Sequence, residues 1–497
     1  MRITNGILIN NSLNNINNNK TNMDILNTQL ASEKKIQRPS DDPIIAIRAL
    51  RFRSTLSEIN QYLSKNIPDA ESWMTETERA LENTVKVLSD ITEYCNQAVN
   101  GYYDTTNKNT IVSQLKAYRD QIYSDANADC AGRTIFTGYK TDGTLTFTSD
   151  NEKKYEITQK FNDSAIGTVN KVSNGLDISG INDSTIAGTD ISAIKLPTQV
   201  TAYRIRLGYD KLEAGSGAVI NLTETGESIT TVTKTSTDIG SYEPGAGEVY
   251  YLADTGELIL GKDVYKKLSE AKADSEGNSF KITYTKKGFN KGELDPIQYF
   301  DCVDKTDDNP DNWVTYTNRK QDIKYEINFN QDIKINTQGK EVFNQDMTRD
   351  LDDIIECVNY AMNVEDKKSR IEKMYNSAKE GSTEQKKYKE LLDLCDRELD
   401  FAKKNMETVF TYGLSVFNKH QDSVSLAEAD VGARLKRLEL NESRLSDQQT
   451  TVKKLMSTNE EVNVSNIAIK IKEAASIYDA SLAAASMVVQ KKLLDFL

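Results

Sequence analysis

The chain has 497 residues, 38% of them hydrophobic, with 62 Lys and Arg against 75 Asp and Glu and a formal net charge of −13. That acidic balance, without a long basic block, argues against a nucleic-acid partner, which needs clustered cations to neutralise phosphates. The single histidine, His420, excludes multi-histidine metal sites and leaves acid–base chemistry near neutral pH to other residue types.

Only two of the 25 glycines precede residue 132 and only three follow residue 350. Glycine is disfavoured inside helices and useful in turns, so both ends read as helix and the middle as turn-rich sheet. The N-terminal segment carries a thin apolar stripe, Ile9, Leu13, Ile16, Met23 and Leu30, with Lys20 and Asn27 at the intervening seam positions. Its many asparagines give weak helix propensity. It lacks the apolar core of a secretory signal, and nowhere does the chain approach the roughly 18 apolar residues of a membrane span. Asp42-Pro43 marks a helix start, a side-chain acceptor followed by Pro at the first helical position. Ile45, Ala49, Phe52, Leu56, Ile59 and Leu63 follow in helical rhythm. Then Ala70, Met74, Thr77, Leu81, Thr84, Leu88, Ile91, Cys95 and Ala98 alternate in steps of four and three, the narrow seam of a helix that packs lengthwise. Asn100-Gly101 is expected to close that helix, and Ile111, Leu115, Tyr118 and Ile122 to open another.

In the middle, Thr144–Phe147 and Tyr155–Ile157 are strand candidates. Val249–Leu252 and Leu258–Leu260, joined by Asp254-Thr255-Gly256, read as a hairpin. Lys281–Tyr284 and Tyr325, Ile327 and Phe329 alternate as half-buried strands. One large or two smaller β subdomains would fit. The acidic loop Asp301–Asp311 lacks the central Gly and terminal Glu of a calcium-binding EF-hand loop and reads as solvated. Phosphate loops, dinucleotide fingerprints and nucleophile elbows are missing from the sequence. The five cysteines, Cys95, Cys130, Cys302, Cys357 and Cys395, form no CxxC pair and read as small apolar residues. No catalytic, cofactor-binding or metal-ligating residue stands out, and an enzyme is not expected.

Towards the C-terminus, Val431, Leu435, Leu438, Leu445, Val452 and Met456 fit one heptad frame, with Glu442 and Gln449 at its remaining seam positions. The final stripe is Ala468, Ile471, Ala475, Tyr478, Leu482, Ala485, Val489, Leu493 and Phe496. Two marginal amphipathic segments at opposite ends of one chain can be ordered by pairing with each other and with neighbouring subunits, as suits an assembling protein.

Certain motifs go further than periodicity. Arg38-Pro39-Ser40-Asp41-Asp42-Pro43, followed by Arg48-Ala49-Leu50-Arg51, resembles the N-terminal signature of the bacterial flagellin superfamily, in the form carried by its hook–filament junction members. Asn60-Gln61-Tyr62, Asp69–Trp73 and Gly132–Gly138 are similar as well. Gly432-Ala433-Arg434-Leu435 through Leu445 resembles the family's C-terminal helix, as does the ending Leu494–Leu497. One stretch departs: Asn459–Val464 stands where family members often carry an acidic Asp-Ala-Asp-Tyr-like run.

The resemblance implies an α+β architecture, a long antiparallel α-helical rod or coiled coil formed by both chain ends with a β-rich domain inserted between them. Its parts would be an N-terminal assembly helix (1–43), a helical rod (44–135), the β insert (136–345), a returning rod (346–457) and a C-terminal assembly helix (458–497). The assembly residues would be Ile9, Leu13, Ile16, Met23, Leu30, Ile471, Tyr478, Leu482, Val489, Leu493 and Phe496. It further implies a structural part of the extracellular flagellum at the hook–filament junction, exported without a cleaved signal. The partners would be copies of itself, hook-associated protein 1, flagellin and an export chaperone, with no membrane insertion. Two alternatives remain: a flagellin filament subunit, and a helical stalk carrying a carbohydrate-binding or hydrolytic β insert.

Overall fold

The computed structural model describes residues 5–99 and 105–494, with side chains described over 6–99 and 108–487. Asn100-Gly101 lies outside them. Four helices open the chain: α1 (Asn5–Ser32), α2 (Pro43–Gln61), α3 (Ile67–Val99) and α4 (Thr105–Ala126). A π-helical turn, Tyr62–Asn66, joins α2 to α3. A small hairpin, β1 (Asp129–Cys130) and β2 (Arg133–Thr134), precedes the longer strands β3 (Asn151–Phe161), β4 (Ile166–Ser173) and β5 (Thr198–Arg206). Next come β6 (Val219–Leu222), β7 (Ser228–Thr230), β8 (Val232–Lys234), β9 (Val249–Leu252), β10 (Glu257–Leu260) and a helix α5 (Lys262–Ser269). They are followed by β11 (Phe280–Phe289), the short α6 (Pro296–Tyr299), β12 (Asp301–Asp304), β13 (Val314–Tyr316), β14 (Lys324–Asn328), β15 (Gln331–Lys334) and the short α7 (Gly339–Val342). Three long helices end the chain: α8 (Gln345–Ser377), α9 (Thr383–Glu460) and α10 (Val464–Leu494). None of the described helices is long and apolar enough to cross a membrane.

The residues divide into two compact units. One comprises 1–71, 325–333 and 436–497; the other comprises 72–324 and 334–435.

The larger unit holds the β region. Strands β4-β5-β10-β9-β8 form one sheet and β13-β12-β3-β11-β6-β7 another. Both bury side chains in one cluster, including Tyr155, Ile205, Tyr251, Leu258 and Phe280, while Ala202, Tyr250, Leu252 and Ile259 form a second. The expected hairpin is β9–β10, in antiparallel register with Leu252 opposite Glu257. Its Gly256 sits at φ +67°, and an added Cβ would lie 1.8 Å from the Tyr209 carbonyl oxygen, so no other residue fits. Thr144–Phe147 forms no strand, only an isolated bridge from Thr146 to Leu294. There the Asn127 side chain accepts from the amides of Leu145 and Thr146, at 2.9 and 3.0 Å, while the backbone of residues 145–147 bonds to that of 292–295.

Within this unit the α3 seam is buried without exception. Met74, Thr77, Leu81, Thr84, Leu88, Ile91 and Cys95 are all 0% exposed. The two threonines fit because their hydroxyls donate to the carbonyls of Trp73 and Ala80 one turn back, at 2.8 and 2.9 Å, leaving only a methyl to pack. Burial pushes the Cys95 thiol up to about 12, as expected of a cysteine used as an apolar residue. Gly413 of α9 is the close-approach point, for a Cβ there would meet Ile354 Cδ1 at 3.0 Å and Cys95 Sγ at 3.3 Å.

The sheet is fastened to α8 and α9 by charges. Arg204 donates to Asp353 at 2.8 Å and to Glu257 at 2.6 Å. Arg206 donates to Asp353 at 2.9 Å and to Asp350 at 2.6 Å. His420 Nε2 donates to the second oxygen of Asp350 at 2.7 Å. The lone histidine is thus a buried packing residue, its ring edge-on to Phe417. Burial would raise the Asp353 carboxyl, but the Arg204 and Arg206 charges outweigh it and hold it well below the usual carboxylate range. Glu257 is likewise lowered, by Lys171 and Arg204 against its burial.

Because the unfolded carboxylates take up protons before the folded ones, this stabilisation is complete above the ordinary carboxylate value and fades as pH falls below it. Urea denaturation from pH 7 to pH 3 is expected to show that loss. Asp353→Asn, which removes one of the two acids beside each of Arg204 and Arg206 and leaves Glu257 and Asp350, is expected to cost on the order of 1–3 kcal/mol at pH 7 and to flatten the acid limb.

Candidate assembly surface

The smaller unit brings the two chain ends together. Helices α1 and α10 pair antiparallel. Asn19 Nδ2 donates to Ser481 Oγ at 2.8 Å, and at the far end Lys34 forms an antiparallel bridge with Glu461. On α1 the half-buried positions include Ile9, Ser12, Ile16, Asn19, Met23, Leu26 and Leu30, a heptad seam. On α10 they include Ile471, Ala474, Tyr478, Ser481 and Ala485.

Of the residues expected in the interface, Ile9, Ile16, Met23, Leu30, Ile471 and Tyr478 lie in this seam. Leu13 and Leu482 do not, being 52% and 42% exposed. Their places are taken by Ser12 and by the Asn19–Ser481 pair. Val489 and Leu493 belong to α10, but their side chains fall outside the described residues, as does Phe496 altogether. The seam runs one residue ahead of the apolar stripe at these points, because small polar residues sit directly before apolar ones, and Leu13 and Leu482 fall on the outer faces instead. The same one-residue shift occurs on α9, where Asn441 is buried and Glu442 exposed.

The outward faces, polar for much of their length, still expose large apolar side chains. Ile7, Leu8, Leu13 and Ile25 on α1 and Ile469, Ile477, Leu482 and Met487 on α10 are exposed. On α2, Ala46, Ala49 and Ile59 are buried while Ile44, Ile47 and Leu50 are exposed. That second stripe was missed, although its three-residue spacing beside the seam was readable. Large apolar side chains left exposed on three helices of one unit are the candidates here for a site of association.

The motif between α1 and α2 is built for a sharp corner. Asp41 Oδ2 accepts from the amides of Gln37 and Arg38, at 2.9 and 2.8 Å, which lowers the Asp41 carboxyl. Asp42 caps α2 by accepting from Ile44 and Ile45, and Pro43 supplies the first helical position, where no amide is missed. Arg38, Pro39 and Ser40 lie in the exposed turn.

Across the corner the departing segment 459–464 supplies the lock. The Lys35 amide donates to the Glu460 carbonyl at 2.8 Å and the Val462 amide to Glu33 at 3.0 Å. Arg53 grips the Glu460 carboxylate through Nε at 3.1 Å and Nη2 at 2.5 Å. Asn459 Nδ2 donates to the Ile45 carbonyl at 3.0 Å. Glu460 was not singled out in the sequence, where nothing separates it from 74 other acids. In the same unit Tyr62 and Asn66 donate to Glu326, at 3.2 and 2.7 Å, fixing the β14–β15 hairpin with Phe329 exposed near its tip. Phe329 therefore does not continue the half-buried alternation.

Gly432, Arg434 and Leu435 belong to the other unit. There the Arg434 guanidinium donates to the carbonyls of Lys334 and Asn336, each at 3.2 Å, and to Thr337 Oγ1 at 3.1 Å. Gly432 faces Glu78, and Leu435 is half-buried. These motif residues hold the returning strand segment rather than line the apolar surface. Among the described residues, no group of three or more His, Cys, Asp or Glu is placed to hold a metal.

Residues 3–141 match the family described as the bacterial flagellin N-terminal helical region. The N-terminal helices are thus similar to the helical region that this family shares. The particular protein that the chain resembles is flagellar hook-associated protein 3. It is 28% identical to that of Salmonella typhimurium over 144 residues, 29% of this chain and 45% of the relative. To that of Escherichia coli it is 29% identical over 116 residues, 23% of this chain and 36% of the relative. The chain thus spans less than half the length of these curated relatives. A solved flagellar hook-associated protein from Vibrio parahaemolyticus, described as putative, covers 85% of this chain and 100% of its own at 12% identity and a TM-score of 0.39. The flagellar junction protein from Legionella pneumophila covers 83% and 99% at 11% identity and a TM-score of 0.30. Likenesses that loose carry no inference.

Glu460→Ala is expected to release the corner. Hydrogen exchange in peptides covering 28–36 and 456–464 should quicken about tenfold, the scale of one charge-assisted hydrogen bond, while peptides of β3 and β11 keep their protection.

Proposed function

We propose that the chain is a structural adaptor of the bacterial flagellum at the hook–filament junction. It would join hook-associated protein 1 on the hook side to flagellin on the filament side, after export as an unfolded chain escorted by a flagellar chaperone. The observation that carries this reading is the paired α1 and α10. Their seam is thin and partly polar, while a full complement of large apolar side chains stays exposed on the outer faces. Neighbouring copies would cover those faces and supply the burial that the isolated pair lacks. The names of the curated relatives support a hook-associated place in the flagellum.

The deciding experiment is localisation. Antibody labelling confined to the boundary between hook and filament supports the adaptor, whereas labelling along the filament makes the chain a filament subunit. In the monomer, residues 1–35 and 460–497 are expected to be cut first by protease and to become resistant after assembly. Equal cutting in both states contradicts the reading. Deleting 464–497 should abolish incorporation and motility while the β region still melts cooperatively.

A further inference from the structure

The two large sheets of the larger unit end in four outer strands, β4, β8, β7 and β13. An open strand edge is a template for another chain, and proteins commonly guard it with lysine, proline or a bulge. β4 carries Lys171 and β8 carries Lys234, while β7 exposes only a serine and a threonine. β13 has no such guard. Its run Trp313-Val314-Thr315-Tyr316 is aromatic and β-branched, with Trp313 and Val314 38% and 48% exposed. The edge is also held in place. Trp313 Nε1 donates to the Asp307 carbonyl at 2.9 Å, and Lys305 Nζ stands 4.4 Å from the centre of its ring.

The ladder fixes which backbone groups are free. The Lys305 amide donates to the Lys154 carbonyl at 2.8 Å. Backbone groups alternate in direction along an antiparallel strand, so Lys305 and Val303 face β3, while Asp304 and Cys302 face β13. Their partners there are Val314 and Tyr316, whose backbone groups point into the sheet. The Asn318 amide keeps that direction and donates to Asp301 Oδ1 at 2.8 Å. The N–H and C=O of Thr315, between Val314 and Tyr316, therefore point away from the sheet.

Charge selects the occupant. The acids Asp307, Asp308 and Asp311 precede the strand, and the cations Arg319 and Lys320 follow it. Asp311 and Arg319 are exposed, and neither has an ion-pair partner among the described residues. A strand that is acidic at one end and basic at the other complements itself when turned end for end. A parallel approach of two copies would set like charges together.

We propose that β13 pairs antiparallel with β13 of a second copy, about a two-fold axis at Thr315, and joins two six-stranded sheets into one. Thr315 exchanges both backbone bonds with the partner's Thr315, Val314 packs on the partner's Tyr316, and Asp311 approaches the partner's Arg319. The contact is self-complementary, as a two-fold interface requires. One short strand buries less than the roughly 1,200 Å² of a standard interface, so the dimer is weak, dissociating at micromolar to millimolar concentrations. The apolar side chains exposed on α1, α2 and α10 belong to the other unit and take no part in it.

The test is sedimentation equilibrium of the full-length chain from about 1 μM to 1 mM, where a monomer–dimer equilibrium is expected. Thr315→Pro removes the outward amide, a change that an edge strand tolerates, and should abolish the dimer. Arg319→Asp should weaken it about tenfold, because two charge pairs are reversed together. Adding Asp311→Arg to Arg319→Asp should restore it to within about twofold. Should Thr315→Pro fail to fold, Arg319→Asp and its rescue decide. A chain that stays monomeric throughout overturns the proposal. An oligomer that a folded Thr315→Pro or Arg319→Asp leaves unchanged also overturns it, and assigns self-association to another surface.

Discussion

The larger unit depends on one buried polar chain, His420, Asp350, Arg206, Asp353, Arg204 and Glu257, most of whose members are charged side chains and each of which lies within hydrogen-bond distance of the next. None of these groups is stable alone out of water. Two adjacent arginine side chains on β5 would repel each other, and Asp350 and Asp353 on one turn of α8 would do the same. Brought together, each cation lies between two acids. The charges contribute little net energy compared with an apolar contact, but they tolerate no other arrangement. The apolar cluster between the two sheets stabilises the β region, and the charges fix where that region meets α8 and α9.

The smaller unit follows the opposite logic. Its α1–α10 seam puts serine and asparagine where a self-sufficient helix pair would put leucine. Polar residues at such positions lower stability and define register. Large apolar residues are instead placed on outer faces, where they stabilise nothing within the monomer. A partly polar seam beside exposed apolar side chains is the arrangement that the proposed assembly would require, since neighbouring copies would supply the burial that the pair lacks.

These two designs explain what the amino-acid sequence disclosed. The α3 seam was legible residue by residue, because a strict four-three alternation with threonines that satisfy their own hydroxyls leaves one phase available. The β9–β10 hairpin was legible through Gly256. The α1 and α10 seams were legible as stripes but not in phase: where Ser12 precedes Leu13 and Ser481 precedes Leu482, hydrophobicity favours the wrong neighbour. The strand expected at Thr144–Phe147 failed for a different reason, since its backbone bonds to the Asn127 side chain and to residues 292–295 rather than to a regular ladder. The charge chain was invisible, because its members lie scattered from residue 204 to residue 420 and pair only through the fold.

Glu460 carries the comparison between motif and structure one step further. The segment around it is where the chain departs from the family pattern, yet it makes the corner contacts: a carbonyl for Lys35, a carboxylate for Arg53 and, one residue earlier, an amide for Ile45. The conforming motif, Asp41-Asp42-Pro43, works entirely within its own turn and cap. A local motif of that kind can recur unchanged in any relative, for its partners are its own neighbours. A contact between residues 400 positions apart constrains only the pair that makes it, so its chemistry can differ between relatives while the corner it closes stays the same. On this argument the departure at 459–464 changes how the two terminal helices are tied, and not whether they are tied.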